Sequence, residues 1–264
     1  MIRVAIAGAA GRMGEALVAA LPEHPDLQLA AVFERPGSEH LGRLVRCREA
    51  QLPIAPFSPA ALSGVDVLID FTRPQAALEH ALACAATGKR VVIGTTGFDD
   101  AGLAALRDVA SRVAVVHAPN MSPGVNVCFQ LVALAARALG SEVDIEVIEA
   151  HHRHKKDAPS GTALRFGEIA ASTRGETLAR VGRYGRHGAA AGPRTSGEIG
   201  FSVIRGGDIV GDHTVLFALP GECIEITHRA SSRANFARGA LRAAAWLMDR
   251  PAGLFDMQDV LGLR

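Results

Sequence analysis

Short apolar runs alternate with alanine-rich amphipathic stretches along the first 120 residues, the pattern of sequential β-α-β units. Arg3 to Ala7 reads as a strand, residues 12 to 21 carry Met13, Leu17 and Leu21 at helical spacing, and Leu27 to Phe33 reads as the next strand. Further strands are expected at Val65 to Asp70, Arg90 to Ile93 and Val113 to Val116, with helices near 74 to 87 and 99 to 110. Nearly continuous β-branched runs separated by helices imply a parallel sheet covered on both faces.

The texture changes after residue 122. Val143 to Ala150 alternates apolar with acidic residues, Gly197 to Ile204 and Thr214 to Leu219 are strand-like, and Cys223 to His228 alternates cleanly. Half-exposed strands of this kind predict a second sheet with one open or partner-covered face. Arg183 to Gly197, rich in Gly, Arg and Ala, reads as a long mobile loop that could close over a site. A helix is expected from Ser232 to about 248, returning to the first domain. The resulting fold class is α/β: a Rossmann-like dinucleotide-binding domain over 1–122 and 232–264, and an α+β domain over 123–231 whose mostly exposed-face sheet serves oligomerisation.

Composition narrows the partners. The 264 residues carry 28 Lys+Arg against 27 Asp+Glu, so no excess positive charge exists to hold a phosphate polymer, and nucleic acid is not expected. No run of about 18 apolar residues is present, so no membrane span is expected. Cys47, Cys84, Cys128 and Cys223 are scattered without a Cys-x-x-Cys, which fits reduced thiols and a cytoplasmic setting. Only Lys89, Lys155 and Lys156 are lysines, so a compact ammonium is a rarity in this chain.

Gly8-Ala9-Ala10-Gly11-Arg12-Met13-Gly14 follows the first strand and opens the first helix with G-x-x-G-x-x-G spacing, a variant of the dinucleotide fingerprint. Glu34 ends the second strand about 20 residues later, where an acid takes the ribose hydroxyls. Arg35 beside it could clamp a 2′-phosphate, so the pair predicts use of NADH or NADPH. A solvated Glu-Arg pair at a strand end is the plainer alternative. Phe71-Thr72-Arg73, Gly94-Thr95-Thr96-Gly97 and Ala118-Pro119-Asn120-Met121 end strands at the same sheet edge, where ligands of open parallel sheets bind.

The densest chemistry is Glu149-Ala150-His151-His152-Arg153-His154-Lys155-Lys156-Asp157-Ala158-Pro159-Ser160-Gly161-Thr162. Ser160 suits a helix N-cap, so Gly161 and Thr162 would stand at a positive helix end, with His151, His152 and Lys155 able to converge on one anion. The substrate this implies is a small carboxylate with more than one carboxyl group. Zinc is the weaker reading, because no Cys joins the histidines and the spacing matches no usual zinc motif, and no metal is expected. A solvated basic turn is the bland reading.

These stretches, with Ile204-Arg205-Gly206-Gly207-Asp208-Ile209-Val210-Gly211-Asp212-His213-Thr214 and Ile226 to Ser232, resemble the 4-hydroxy-tetrahydrodipicolinate reductases, also called dihydrodipicolinate reductases, through essentially the whole chain. The resemblance implies reduction of a cyclic imine dicarboxylate by NADH or NADPH to tetrahydrodipicolinate, in the diaminopimelate route to lysine, by a cytoplasmic homotetramer. It implies His151 and Lys155 as the proton-donor pair and His152, Gly161 and Thr162 as substrate-carboxylate contacts. Gly8, Ala9, Ala10, Gly11, Arg12, Met13, Glu34, Arg35, Gly94, Thr95, Thr96, Ala118, Pro119, Asn120 and Met121 are implied to hold the cofactor. Met121 stands where the family usually has Phe, and Pro123 where a β-branched residue is common. Two rivals remain at this stage: another Rossmann oxidoreductase acting on an aspartate semialdehyde or a sugar, and a catalytically silent NAD(P)-sensing protein.

Overall fold

The computed structural model describes residues 1–188 and 192–264, and the chain divides into two compact units, 1–123 with 233–264, and 124–232. The first unit contains β1 (Ile2–Ala7), α1 (Arg12–Ala20), β2 (Leu27–Glu34), β3 (Leu44–Cys47), β4 (Ala50–Pro53), β5 (Ala55–Pro56), β6 (Val67–Asp70), α2 (Pro74–Ala86), β7 (Arg90–Ile93), α3 (Asp100–Ala110) and β8 (Ala114–His117). The second contains α4 (Pro123–Leu139), β9 (Asp144–His151), α5 (Gly161–Thr173), α6 (Leu178–Val181), β10 (Gly182–Arg183), β11 (Ile199–Arg205), β12 (Gly211–Leu219) and β13 (Glu222–Ala230). The chain then re-enters the first unit with α7 (Ala234–Trp246), β14 (Gly253–Phe255) and α8 (Met257–Leu261).

Seven parallel strands in the order β14-β8-β7-β6-β1-β2-β5 form the first sheet. Each strand feeds both faces by simple alternation. Val4, Ile6, Val67 and Ile69 pack with Leu17 and Leu21 and with Ala237, Ala240 and Leu241 of α7. Ala5, Ala7, Leu68 and Val91 pack on the opposite face with Ala77, Ala81 and Cys84 of α2 and Leu106 and Val109 of α3. The strand order reverses between β1 and β6, which opens the crevice where doubly wound sheets bind ligands, outside the strands' carboxyl ends.

The second sheet, β10-β11-β9-β12-β13, is mixed: β9 runs parallel to β11 and antiparallel to β12. Its alternation is clean. Ile145, Val147, Ile199, Phe201, Val215 and Phe217 face Val125, Phe129 and Val132 of α4 and Ala163, Phe166 and Ala170 of α5. The opposite parity, carrying Ile148, Ser202, Ile204 and Leu216, has no helix over it among the described residues, and Ile204 is 52% exposed.

Several elements depart from the sequence reading, among them the short β5, α6, β14 and α8. The hairpin of β3 and β4 and the 17-residue helix α4 had no counterpart in it. On α4 the buried Val125, Phe129, Val132 and Ala136 recur at helical spacing, but exposed Val127, Leu131 and Leu134 fill the opposite side with equally apolar residues and mask the period. The loop read over 183–197 includes 189–191, which lie outside the described residues. The described parts beside them are pinned rather than loose: Arg186 pairs with Glu146 and Glu198, and Arg194 with Glu146 and, at 2.8 Å, Asp144.

Candidate active site

In the first unit the glycine turn caps β1 at the strand-order reversal. Gly8 takes φ +74°, which a side chain would strain, and the amides of Gly8 and Ala9 both donate to the Phe33 carbonyl at the end of β2. Gly14 lets α1 lie against the turn: a Cβ there would come within 2.3 Å of the Gly8 oxygen and 2.6 Å of the Ala9 Cα. Gly14→Ala is therefore expected to cost about 1–3 kcal/mol through overpacking and to weaken nucleotide binding, read by thermal unfolding and an NADH titration. Glu34 stands beside the turn and accepts from the Ala10 amide at 3.0 Å. The bare backbone at Gly8 and Gly11, a helix N-terminus behind it and a carboxylate at the second strand's end fit a dinucleotide's pyrophosphate and ribose.

The remaining predicted cofactor residues are disposed differently. Thr96, Arg12, Arg35 and Pro119 are exposed, whereas Thr95 is buried with its hydroxyl on Asp70 at 3.1 Å. Ala118 and Met121 join the hydrophobic core under α7, and Met121 is 1% exposed. Their side chains thus support the strand end from beneath. Asn120 folds its own loop by accepting from the Ser122 amide at 2.9 Å.

The second unit gathers the histidine-lysine segment around one buried carboxylate. Glu149 has the same parity on β9 as Ile145 and Val147, so its side chain enters the helix-covered face. There it accepts from Arg205 through two nitrogens at 2.7 and 2.8 Å, from the Ser160 amide at 2.9 Å, and meets His151 Nδ1 at 2.6 Å. Burial alone would raise this carboxyl, but the bonds from Arg205, His151 and Ser160 outweigh it and hold it below the usual carboxylate range. Arg205 also donates to the Asp157 carbonyl at 2.7 Å, fixing the loop that carries Lys155. Lys155 Nζ contacts both Asp157 oxygens, at 2.8 and 2.7 Å.

Ser160 caps α5 by accepting from the Ala163 amide, so the positive end of the helix falls at Gly161 and Thr162, as the N-cap reading requires. A Cβ on Gly161 would meet nothing within 4 Å, which leaves room for a ligand there. His151 and His152 diverge: His151 is buried toward Glu149, while His152 lies near His154, ring centroids 6.2 Å apart. Lys156 is exposed. Among the described residues, no group of three or more His, Cys, Asp or Glu side chains is placed to hold a metal ion.

Glu149, Arg205 and His213 carry no role in the sequence reading, and Asp157 enters it only as a partner of the histidines in the weaker zinc reading. An acid at a core parity of an alternating strand was the available signal, since a buried carboxylate demands partners. His213 sits opposite Glu149 in the β9–β12 register, and its Nε2 lies 3.0 Å from Ser160 Oγ. Burial, reinforced by His151, pushes His213 down to about 3. Because the unfolded imidazole titrates near 6.5, the unfolded chain binds the extra proton between those values, and stability falls as pH drops through that window. At pH 5 this site alone should cost about 2 kcal/mol; thermal unfolding at pH 7 and 5 should show a smaller drop in His213→Gln than in the unaltered chain.

A glycine turn at the strand-order reversal of a parallel sheet, with a separate mixed-sheet domain, is the arrangement of a two-domain nucleotide-dependent oxidoreductase. The family profile described as "Dihydrodipicolinate reductase, N-terminus" matches residues 2–121, and "Dihydrodipicolinate reductase, C-terminus" matches residues 124–261. The chain belongs to the dihydrodipicolinate reductase family. It is 53% identical to the 4-hydroxy-tetrahydrodipicolinate reductase of Chromobacterium violaceum over 99% of this chain and 98% of that protein, and 53% identical to that of Laribacter hongkongensis over 100% and 99%. A dipicolinate-bound dihydrodipicolinate reductase from Paenisporosarcina sp. TG-14 superposes with a TM-score of 0.79 at 26% identity, covering 98% of each chain. An aspartate semialdehyde dehydrogenase from Vibrio cholerae shares the fold alone, with a TM-score of 0.57 at 13% identity over 94% of this chain and 98% of that one.

Proposed function

We propose that this chain reduces 4-hydroxy-tetrahydrodipicolinate to tetrahydrodipicolinate with NADH or NADPH, in the diaminopimelate route to lysine. The observation that carries the reading is the Glu149 carboxylate, which binds His151 with one oxygen and the Ser160 amide at the start of α5 with the other. One group thereby ties a proton donor to a carboxylate-binding helix end.

In this reading Gly8 to Met13, Glu34, Arg35, Gly94 to Thr96 and Ala118 to Met121 hold the nucleotide, largely through backbone. The dihydronicotinamide supplies the hydride. His152 and the Gly161-Thr162 helix start bind the substrate's carboxylates and orient its ring. The 4-hydroxyl leaves as water to give the conjugated imine that accepts the hydride, and Lys155, with His151, delivers the proton that the reduced ring must gain. Asp157 holds the ammonium in place before substrate arrives, and a substrate carboxylate competes for it.

The chain is further assigned as a cytoplasmic homotetramer. Support comes from the four free cysteines and from the helix-free sheet face bearing Ile148, Ile204 and Leu216, apolar surface that a second copy would cover. No helix of the described residues is long and apolar enough to cross a membrane.

A coupled assay tests the activity. Substrate made from pyruvate and aspartate semialdehyde by the preceding synthase is offered with NADH and NADPH in turn, and oxidation is followed at 340 nm. Turnover dependent on both pyruvate and aspartate semialdehyde is expected. Tight NADH binding without turnover would replace this reading with that of a sensor protein.

A further inference from the structure

Asp70, the last residue of β6, is a fully buried acid that the proposed reaction does not use. Its Oδ1 accepts from the Thr72 amide at 2.8 Å, the Thr72 hydroxyl at 2.7 Å and the Thr95 hydroxyl at 3.1 Å. Its Oδ2 lies 2.6 Å from Nδ1 of His80, a nearly buried imidazole on α2 whose other side is covered by Phe57 at 4.0 Å between ring centroids. The backbone carbonyl of Asp70 also receives the Gly94 amide at 2.9 Å.

These contacts tie together segments that the sheet alone leaves independent. Thr72 belongs to the loop after β6, and its methyl group sits 3.2 Å from where a Gly8 Cβ would be, against the glycine turn after β1. Thr95 belongs to the turn after β7. Phe71 occupies the space over Gly94, where a Cβ would fall 2.1 Å from its ring. One carboxylate thus sets the spacing of three strand-end loops around the crevice between β1, β6 and β7.

The energetics argue for a positional role. A buried acid-histidine pair is rarely the most stable filling for a sheet interior, and an apolar replacement of similar volume is often neutral or stabilising. What a carboxylate offers here, and leucine cannot, is several charge-assisted bonds that hold two hydroxyls and an amide in one geometry. We propose that Asp70, braced by His80, is a positioning residue for the nicotinamide nucleotide: through Thr72 and Thr95 it pre-sets the loops that receive the cofactor. This rests on the placement of the cofactor along Gly8 to Met13 and Gly94 to Thr96.

The test compares Asp70→Ala with Asp70→Asn. Asn has the same shape, can accept from Thr72 and Thr95 through Oδ1, and can donate to His80 Nδ1 through its amide. NADH affinity is measured by calorimetric titration without substrate, and the two KM values by steady-state kinetics. Asp70→Ala should weaken NADH binding about tenfold or more, the scale of losing bonds to a charged group, and raise the KM for NADH while the KM for the dicarboxylate stays the same. Asp70→Asn, which can still accept from both threonines but without the charge, should recover part of the loss; an effect confined to NADH affinity and the KM for NADH is what a general loss of stability would not predict. A folded Asp70→Ala with unaltered NADH affinity overturns the proposal. Should Asp70→Ala fail to fold, Thr95→Val removes one anchor at constant volume; it should weaken NADH binding, and unchanged affinity overturns the proposal equally. Thr96→Glu, an exposed change, separates the premise: if it leaves NADH affinity intact, the cofactor placement falls and the proposal with it, whereas weakened binding there with intact binding in Asp70→Ala defeats the proposal alone.

Discussion

Lys155→Ala is expected to lower kcat by about 10²–10⁴-fold, the range of a positioned general acid, with NADH affinity unchanged in a calorimetric titration. The side chain belongs to the second unit, whereas every residue assigned to the nucleotide belongs to the first, so cofactor binding should not register the change. Lys155→Arg should rescue little. A guanidinium keeps the charge and could still attract a carboxylate, but it holds its proton too tightly to donate one. The pair of variants therefore separates charge from proton delivery, and normal turnover in either would remove Lys155 from the acid role.

Glu149→Ala should be the most damaging single change in the second unit. It leaves Arg205 and His151 buried without their shared partner and releases the Ser160 amide at the start of α5. Breaking a buried pair from one side costs roughly 3–5 kcal/mol, a fall in Tm on the order of 10 °C for a chain of this size. Glu149→Gln keeps the shape, so its unfolding temperature should recover substantially while kcat stays depressed, because a neutral amide supports a protonated His151 less well. Thermal unfolding and kcat on the same preparations check both; wild-type values in Glu149→Ala would dismiss the anchor.

The architecture was legible where burial follows a period. Ile145, Val147, Val215 and Phe217 alternate with polar neighbours, and the runs at Val4 to Ala7 and Val91 to Ile93 have no polar face, so open and covered sheets announce themselves. Helix α4 was illegible because its exposed Val127, Leu131 and Leu134 erase the contrast on which periodicity depends. Backbone-based features of the site were readable, since glycines at Gly8, Gly11 and Gly14 and a cap at Ser160 act through local geometry. The partnerships of Glu149 and Asp70 were not. They depend on register, which sets His213 across from Glu149 some 64 positions away, and on helix placement, which carries His80 beneath Asp70.

The first unit is closed by α7. Ala237, Ala240 and Leu241 complete its core, a Cβ on Gly239 would overlap the Met121 carbonyl, and Asn235 donates to Ser122 across the two crossing points at 3.3 Å. During synthesis on the ribosome, this unit therefore waits with one face bare until nearly the whole polypeptide has emerged, although its first strands are made first. The second unit, contiguous from 124 to 232, can complete itself earlier. Released chains truncated after residue 232 should accordingly protect the later-made unit from protease while the earlier-made one remains cleavable.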